Sequence, residues 1–145
     1  MPPIEAIVYV SSAVRAMSEP DLEALLETSR RLNGRDRITG ALIYHEGSFL
    51  QYFEGGPAEV ADLFRRIRAS PLHRGIIELM HGPVAKRCFA SWSMGLMTVP
   101  QSTMLRLSNA NWVSDVSGLS PEALATDGLS LLLDVQRNLA TGGRW

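Results

Sequence analysis

The chain has 145 residues, with 46% apolar and 20% charged, and 14 Lys+Arg against 15 Asp+Glu leave a formal charge of −1. That size fits one domain, able to bury ~68–70% of its unfolded surface without a staple, and the composition is that of an ordinary soluble globule. The charge balance argues against broad nucleic-acid or anionic-membrane binding, which needs a surplus of positive charge.

At the start, Met1-Pro2-Pro3-Ile4-Glu5 lacks the basic residues and long apolar stretch of a signal peptide. Residues Ile4 to Ser11 are β-prone and predict a first strand, with Ile7, Tyr9 and Ser11 on one face. Ser18-Glu19-Pro20-Asp21 reads as a helix start, with Ser18 as N-cap and early acids favoured by the helix dipole. Leu22, Leu25, Leu26 and Ser29 recur at helical spacing, and Asn33-Gly34 offers a C-terminal stop with Asn33 as cap. Ile38 to His45 and Ser48 to Glu54 predict the second and third strands, joined by a Glu46-Gly47 hairpin turn. Gly55-Gly56-Pro57 breaks the run, and Val60, Leu63, Phe64 and Ile67 follow at i, i+3, i+4 and i+7 as a second amphipathic helix. Gly75 to His81 and Cys88 to Leu96 predict the fourth and fifth strands, the latter setting Ala90, Trp92 and Met94 on one face.

The lone Cys88 cannot pair within the chain and reads as a packed thiol, so a reducing cytoplasm is expected. After Pro100 the composition changes. Ser120-Pro121-Glu122 opens a helical region, and Leu129, Leu132, Leu133 and Gln136, widened by Leu131 and Val135, form a broad apolar stripe. No apolar run approaches the ~18–20 residues of a membrane span. The order β-α-β-β-α-β-β predicts an α+β, ferredoxin-like sheet with two helices on one face. Residues 1–98 would form that unit, and 99–145 a C-terminal helical extension packed on the sheet or in an oligomer interface.

Gln51 stands out among the polar residues. Strand alternation points Phe49, Gln51 and Phe53 the same way, which sets an amide on a buried aromatic face. Without partners it would cost ~1–3 kcal/mol or more, so either the protein or a ligand must face it. The plain alternatives are an edge-strand amide bonded to backbone and, for Tyr9, a packed ring with its hydroxyl outward. Strands one and three can lie side by side, however, and the end of helix one can overlook the same spot. Tyr9, Asn33 and Gln51 could then converge. Other chemistry is thin: His45, His73 and His81 lack metal-ligand spacing, and no glycine-rich phosphate loop, nucleophile elbow or paired carboxylates appear. Arg30, Arg31, Arg65, Arg66 and Arg68 could hold a phosphate or simply form solvated helix faces.

Taken together, Tyr9, Asn33 before Ile38-Thr39-Gly40, the run Phe49-Leu50-Gln51-Tyr52-Phe53-Glu54-Gly55, and Trp92-Ser93-Met94 resemble the BLUF family of blue-light sensors using FAD, over about residues 4–97. The Leu-rich tail resembles the C-terminal helices of short, single-domain members. The resemblance implies an isoalloxazine ring between the two helices, flanked by Leu25 and Ile67. Asn33 would bond its pyrimidine edge, and Gln51 would bridge Tyr9 and the N5/C4=O edge. It implies electron and proton donation by Tyr9, recombination that leaves Gln51 rotated or tautomerised, a red-shifted absorption and thermal return. In the family Trp92 and Met94 compete for the place beside Gln51. Arg66 and His73 stand at matching positions that could reach the ribityl or pyrimidine side, whereas Ser70-Pro71-Leu72-His73 lacks an acid and an Arg often found there. Such a sensor has no enzymatic output of its own. It would signal as a cytoplasmic homo-oligomer to a separate downstream protein, without nucleic acid or membrane. The competing readings are a small ferredoxin-like enzyme, which would need a nucleophile–base pair or anion-holding loop, and a light-blind module that oligomerises through its tail.

Overall fold

The computed structural model describes residues 3–113, 120–121 and 127–139. β1 (Ile4–Ala13), β2 (Thr39–His45), β3 (Ser48–Gly55), β4 (His73–Val84) and β5 (Gly95–Met97) form one sheet in the order β4-β1-β3-β2-β5. The first four strands pair antiparallel, and β5 runs parallel to β2 along its outer edge. α1 (Glu19–Asp36) and α2 (Pro57–Ala69) pack on one face, where Leu26, Val60 and Phe64 share a buried cluster with Ile7, Tyr9, Leu42 and Phe53. This is the α+β, ferredoxin-like plan expected from the element order. On the other face, α3 (Gln101–Ser108) and α4 (Gly128–Leu139) contribute Met104, Leu107, Leu129 and Leu132 to a second cluster with Ile43, Leu50 and Tyr52. The helical start at Ser120-Pro121-Glu122 runs beyond the described residues. Among those residues no helix is long and apolar enough to cross a membrane.

Local chemistry explains the junctions. Ser18 closes a capping box on α1: its hydroxyl accepts from Asp21 N–H at 3.2 Å, and its own N–H donates to Asp21 Oδ2 at 3.0 Å. Glu46 and Gly47 both have positive φ, 44° and 85°, as a two-residue turn between right-twisted strands requires.

Two expectations are corrected. α1 does not stop at Asn33-Gly34 but continues to Asp36, and Arg37 closes it in the left-handed region (φ 57°). Asn33 is drawn inward instead, its Nδ2 donating to Ser93 O at 2.9 Å, so a tertiary contact overrides the local capping preference. The fifth strand shrinks from the predicted Cys88–Leu96 to Gly95–Met97. Ahead of it the chain turns: Trp92 N–H bonds Phe89 O at 2.9 Å, and the N–H groups of Cys88 and Phe89 bond the Glu54 carboxylate. Those donors are spent before a ladder can use them. The turn also breaks the alternation, so Trp92 joins the tail-side cluster with Phe89, and Met94 joins the cluster beneath α1 and α2. The two do not share a face.

Candidate functional site

In the β1–β3 register Tyr9 lies directly opposite Gln51, and both side chains point under α1 and α2. The Tyr9 hydroxyl donates to Gln51 Oε1 at 2.5 Å. From its other end, Gln51 Nε2 donates to Met94 Sδ at 3.5 Å. All three residues are buried, at 4%, 8% and 1% exposure. The two ends of the amide are unequally served. A phenol is a good donor to its oxygen, whereas a thioether is a weak acceptor for its nitrogen. Burial pushes the Tyr9 phenol well above its ordinary value, which keeps it a neutral donor.

Beside this chain of contacts a cleft opens between the helices. Its cavity volume is about 130 Å³, against roughly 10–15 Å³ for one water on the same measure. Leu25 and Leu32 of α1 face Leu63 and Ile67 of α2 across it, Leu42 and Phe49 form its floor, and Asn33 and Gln51 supply amides. Two apolar walls with amides at the floor suit a flat heteroaromatic ring whose edge carries hydrogen-bonding atoms. An isoalloxazine fits that description, and the under-used Gln51 nitrogen is the atom that invites it.

The remaining expected site residues are present in the cleft wall but already engaged. His73 Nε2 lies 2.8 Å from Ile67 O, which can only accept, so that nitrogen carries the proton; Nδ1 then takes the Ser11 hydroxyl at 2.7 Å. Its ring stands 5.8 Å from that of Tyr9 and 6.1 Å from that of Phe49, propping the wall. Arg66 pairs with Asp36 at the end of α1 (3.3 Å) and with Asp62 on its own helix (3.2 Å), tying the two helices together at the cleft. Arg35, and after it Arg66, holds the Asp36 carboxyl below its usual range. Of the other arginines, Arg30 donates to Met94 O at 2.8 Å, Arg65 pairs with Asp62, and Arg68 stacks 4.3 Å over the Phe64 ring.

Met94, not Trp92, occupies the place beside Gln51. Trp92 packs 5.4 Å from Phe89 on the far side of the sheet. Sequence reasoning passed over three participants. From sequence Ser11 is only a strand position, and Arg30 reads as a phosphate holder or a solvated helix residue rather than a donor to Met94 O. Glu54 was recorded as part of a motif, although alternation from Gln51 and Phe53 already put a carboxylate on the opposite, core-facing side of β3.

Known proteins resemble this chain in sequence and in fold. The family model for sensors of blue light using FAD matches residues 4–95. Photoactivated adenylate cyclase subunit beta of Euglena longa is 34% identical over 92 residues, which is 63% of this chain and 11% of that protein. The chain thus spans about a tenth of the length of the curated relatives it matches. The dark-state structure of BlrB, a BLUF protein, aligns with a TM-score of 0.71 at 28% identity, covering 94% of this chain and 98% of that one. The photo-activated state of BlsA aligns with a TM-score of 0.69 at 20% identity, covering 98% of each chain, and shows likeness of fold.

Proposed function

Because this chain belongs to the family of blue-light sensors using FAD, we propose that it binds FAD non-covalently in the cleft between α1 and α2 and signals through Gln51. The observation that carries the reading is the Tyr9–Gln51–Met94 chain, in which a buried amide has one strong partner and one weak one. In this reading Leu25 and Ile67 sandwich the ring, and Asn33 and Gln51 address its polar edge. Arg66 and His73 close the far end of the cleft while keeping their protein partners. The ring, when bound, supplies blue-light absorption and an excited-state electron acceptor. Tyr9 would be the donor of an electron and of its phenolic proton, the proton passing to Gln51 Oε1, which it already bonds; both would return to Tyr9 on recombination, so there is no net oxidation. Gln51 has unlike ends, and turning it exchanges which end meets Tyr9. Met94 follows because its thioether rests on the end that moves, whereas Trp92 responds only through the backbone they share.

Residues 1–98 serve as the flavin-binding unit, and the helices within 99–145 form the responsive cover of the opposite sheet face. The chain has no enzymatic output of its own and acts in the cytoplasm, as a homo-oligomer, on a separate protein partner. The test is the visible spectrum of the purified, yellow protein before and after blue light, with the released cofactor identified by chromatography. A reversible red shift with FAD as the released species is expected. Bound flavin without any reversible shift overturns the sensor reading, and FMN as the released species overturns the choice of FAD.

A further inference from the structure

The segment that carries Met94 to Gln51 is held at both ends by unusual means. Three consecutive carbonyls are each taken by a different donor: Trp92 O by Gly40 N–H at 3.0 Å, Ser93 O by Asn33 Nδ2 at 2.9 Å, and Met94 O by Arg30 Nε at 2.8 Å. The other end rests on one side chain. Glu54 is fully buried on the face of β3 opposite Gln51. Its Oε1 accepts from Cys88 N–H at 2.7 Å and the Tyr52 hydroxyl at 2.8 Å. Its Oε2 accepts from Phe89 N–H at 2.8 Å and the Thr39 hydroxyl at 2.7 Å. All four of these partners are donors, the arrangement a carboxylate satisfies at both oxygens. Arg87 lies over this cluster, donating to Thr39 Oγ1 at 3.0 Å and to Arg37 O at 2.8 Å.

We propose that Glu54 is a positioning residue for the light-responsive site: its carboxylate fixes the start of the Cys88–Met94 segment, and through it the Met94 thioether against Gln51. The proposal rests on the sensor reading above. Rearranging Gln51 requires its neighbours to give way, so a looser segment lowers the barrier between the two hydrogen-bonded states and speeds return to the dark state. None of this touches the cofactor, because Glu54 lies across the sheet from the cleft.

The chemistry makes one substitution diagnostic. Each carboxylate oxygen takes one hydroxyl, which can rotate and accept, and one backbone N–H, which cannot. Whichever way Glu54→Gln is turned, its NH₂ faces a fixed backbone donor, and the N–H of Cys88 or of Phe89 loses its partner. Tyr52→Phe removes a hydroxyl and spares both amide bonds.

The experiment uses the full chain with bound flavin and reads amide hydrogen exchange by NMR in the dark, then dark recovery after blue light. For Glu54→Gln, exchange at Cys88 or Phe89 should accelerate by about ten-fold or more, the scale of one lost hydrogen bond to a charged group. Recovery should quicken by about three-fold or more with the dark absorption maximum unmoved. Tyr52→Phe should leave both amides within about two-fold of the parent. Unchanged exchange in Glu54→Gln, or faster exchange with unchanged recovery, overturns the proposal. Should Glu54→Gln fail to fold, Arg87→Ala loosens the same cluster from its outer side. Faster exchange and faster recovery are again expected, and the absence of either overturns it. A parent chain that holds flavin but shows no reversible red shift defeats the sensor reading itself, before any variant is made, and the proposal falls with it.

Discussion

In the proposed reading, Gln51→Leu separates the switch from the cofactor pocket, because it deletes the amide while keeping an apolar side chain of similar bulk. Two contacts vanish. The Met94 contact at 3.5 Å costs little, since a thioether is a weak acceptor and packs well against leucine. The Tyr9 contact at 2.5 Å costs more, because the hydroxyl of this buried residue loses the acceptor it bonds. Stranding a buried hydroxyl costs ~1–3 kcal/mol, and new apolar contact between Leu and the aromatic floor offsets part, leaving about 1–2 kcal/mol. With an unfolding entropy near 2.1 cal/mol/K per residue, a chain of this length loses about 0.3 kcal/mol per degree near its midpoint, so Tm should fall by roughly 3–7 °C.

Tyr9→Phe strands Gln51 Oε1 by the same logic and should cost a similar amount. The double variant strands neither group. It should be more stable than the sum of the single losses predicts, by about 1–2 kcal/mol. Melts of all four proteins at saturating flavin measure this without confusing stability with cofactor affinity. Both single variants should stay yellow, since Leu25 and Ile67 remain, and both should lose the light-induced red shift. A normal photocycle in Gln51→Leu refutes the role given to the amide. Strict additivity in the cycle refutes the energetic pairing with Tyr9.

Two further outcomes follow from the packing. A Cβ on Gly95 would sit 2.1 Å from Trp92 Cε3, in a cluster where the ring already packs on Phe89. Gly95→Ala should therefore cost about 2 kcal/mol or more in a thermal melt, and a change within half of that means the ring has space to retreat. Alkaline titration tests the buried phenols. Burial raises both Tyr9 and Tyr52, and Glu54 beside Tyr52 adds to its shift. Their folded values lie above the unfolded value of 10.0, so the folded state keeps protons that the unfolded chain releases, and stability declines as pH climbs past that value. Tyrosinate absorbance from these two residues should appear only with unfolding; native-state ionisation of either near its ordinary value of 10.0 would contradict its burial.

Periodicity made most of the fold readable. The spacing of Val60, Leu63, Phe64 and Ile67 requires a helix over an apolar surface, and the alternation through Ile7, Tyr9 and Ser11 requires a strand. The element order then leaves few packings, and the observed strand order is one of them. The Tyr9–Gln51 pairing was accessible for the same reason, since it needs only that β1 and β3 be neighbours. Where reading failed, the deciding partner was remote in sequence. Asn33 looks like a cap until Ser93, 60 residues on, offers its carbonyl. Cys88 to Met94 looks like a strand until Glu54, some 34 residues back, takes its first two N–H groups. Local preferences of about 1 kcal/mol cannot compete with two charge-assisted bonds in a dry site.

That same carboxylate explains how one strand can serve both sides of the sheet. β3 turns Gln51 toward the cleft and Tyr52 and Glu54 toward the tail-side core, so its two faces are mechanically one object. A ferredoxin-like sheet alone would insulate the cleft from α3 and α4, because a packed sheet bends little. The Cys88–Met94 segment supplies the missing connection: it begins on Glu54, passes Trp92 into the cluster that holds Met104 and Leu132, and ends with Met94 on Gln51. In the proposed reading, a change at the Gln51 amide would reach the tail helices through a short run of backbone whose three carbonyls are pinned by β2 and α1. Displacing Met94 would then strain the link to Trp92, which packs in the tail-side core.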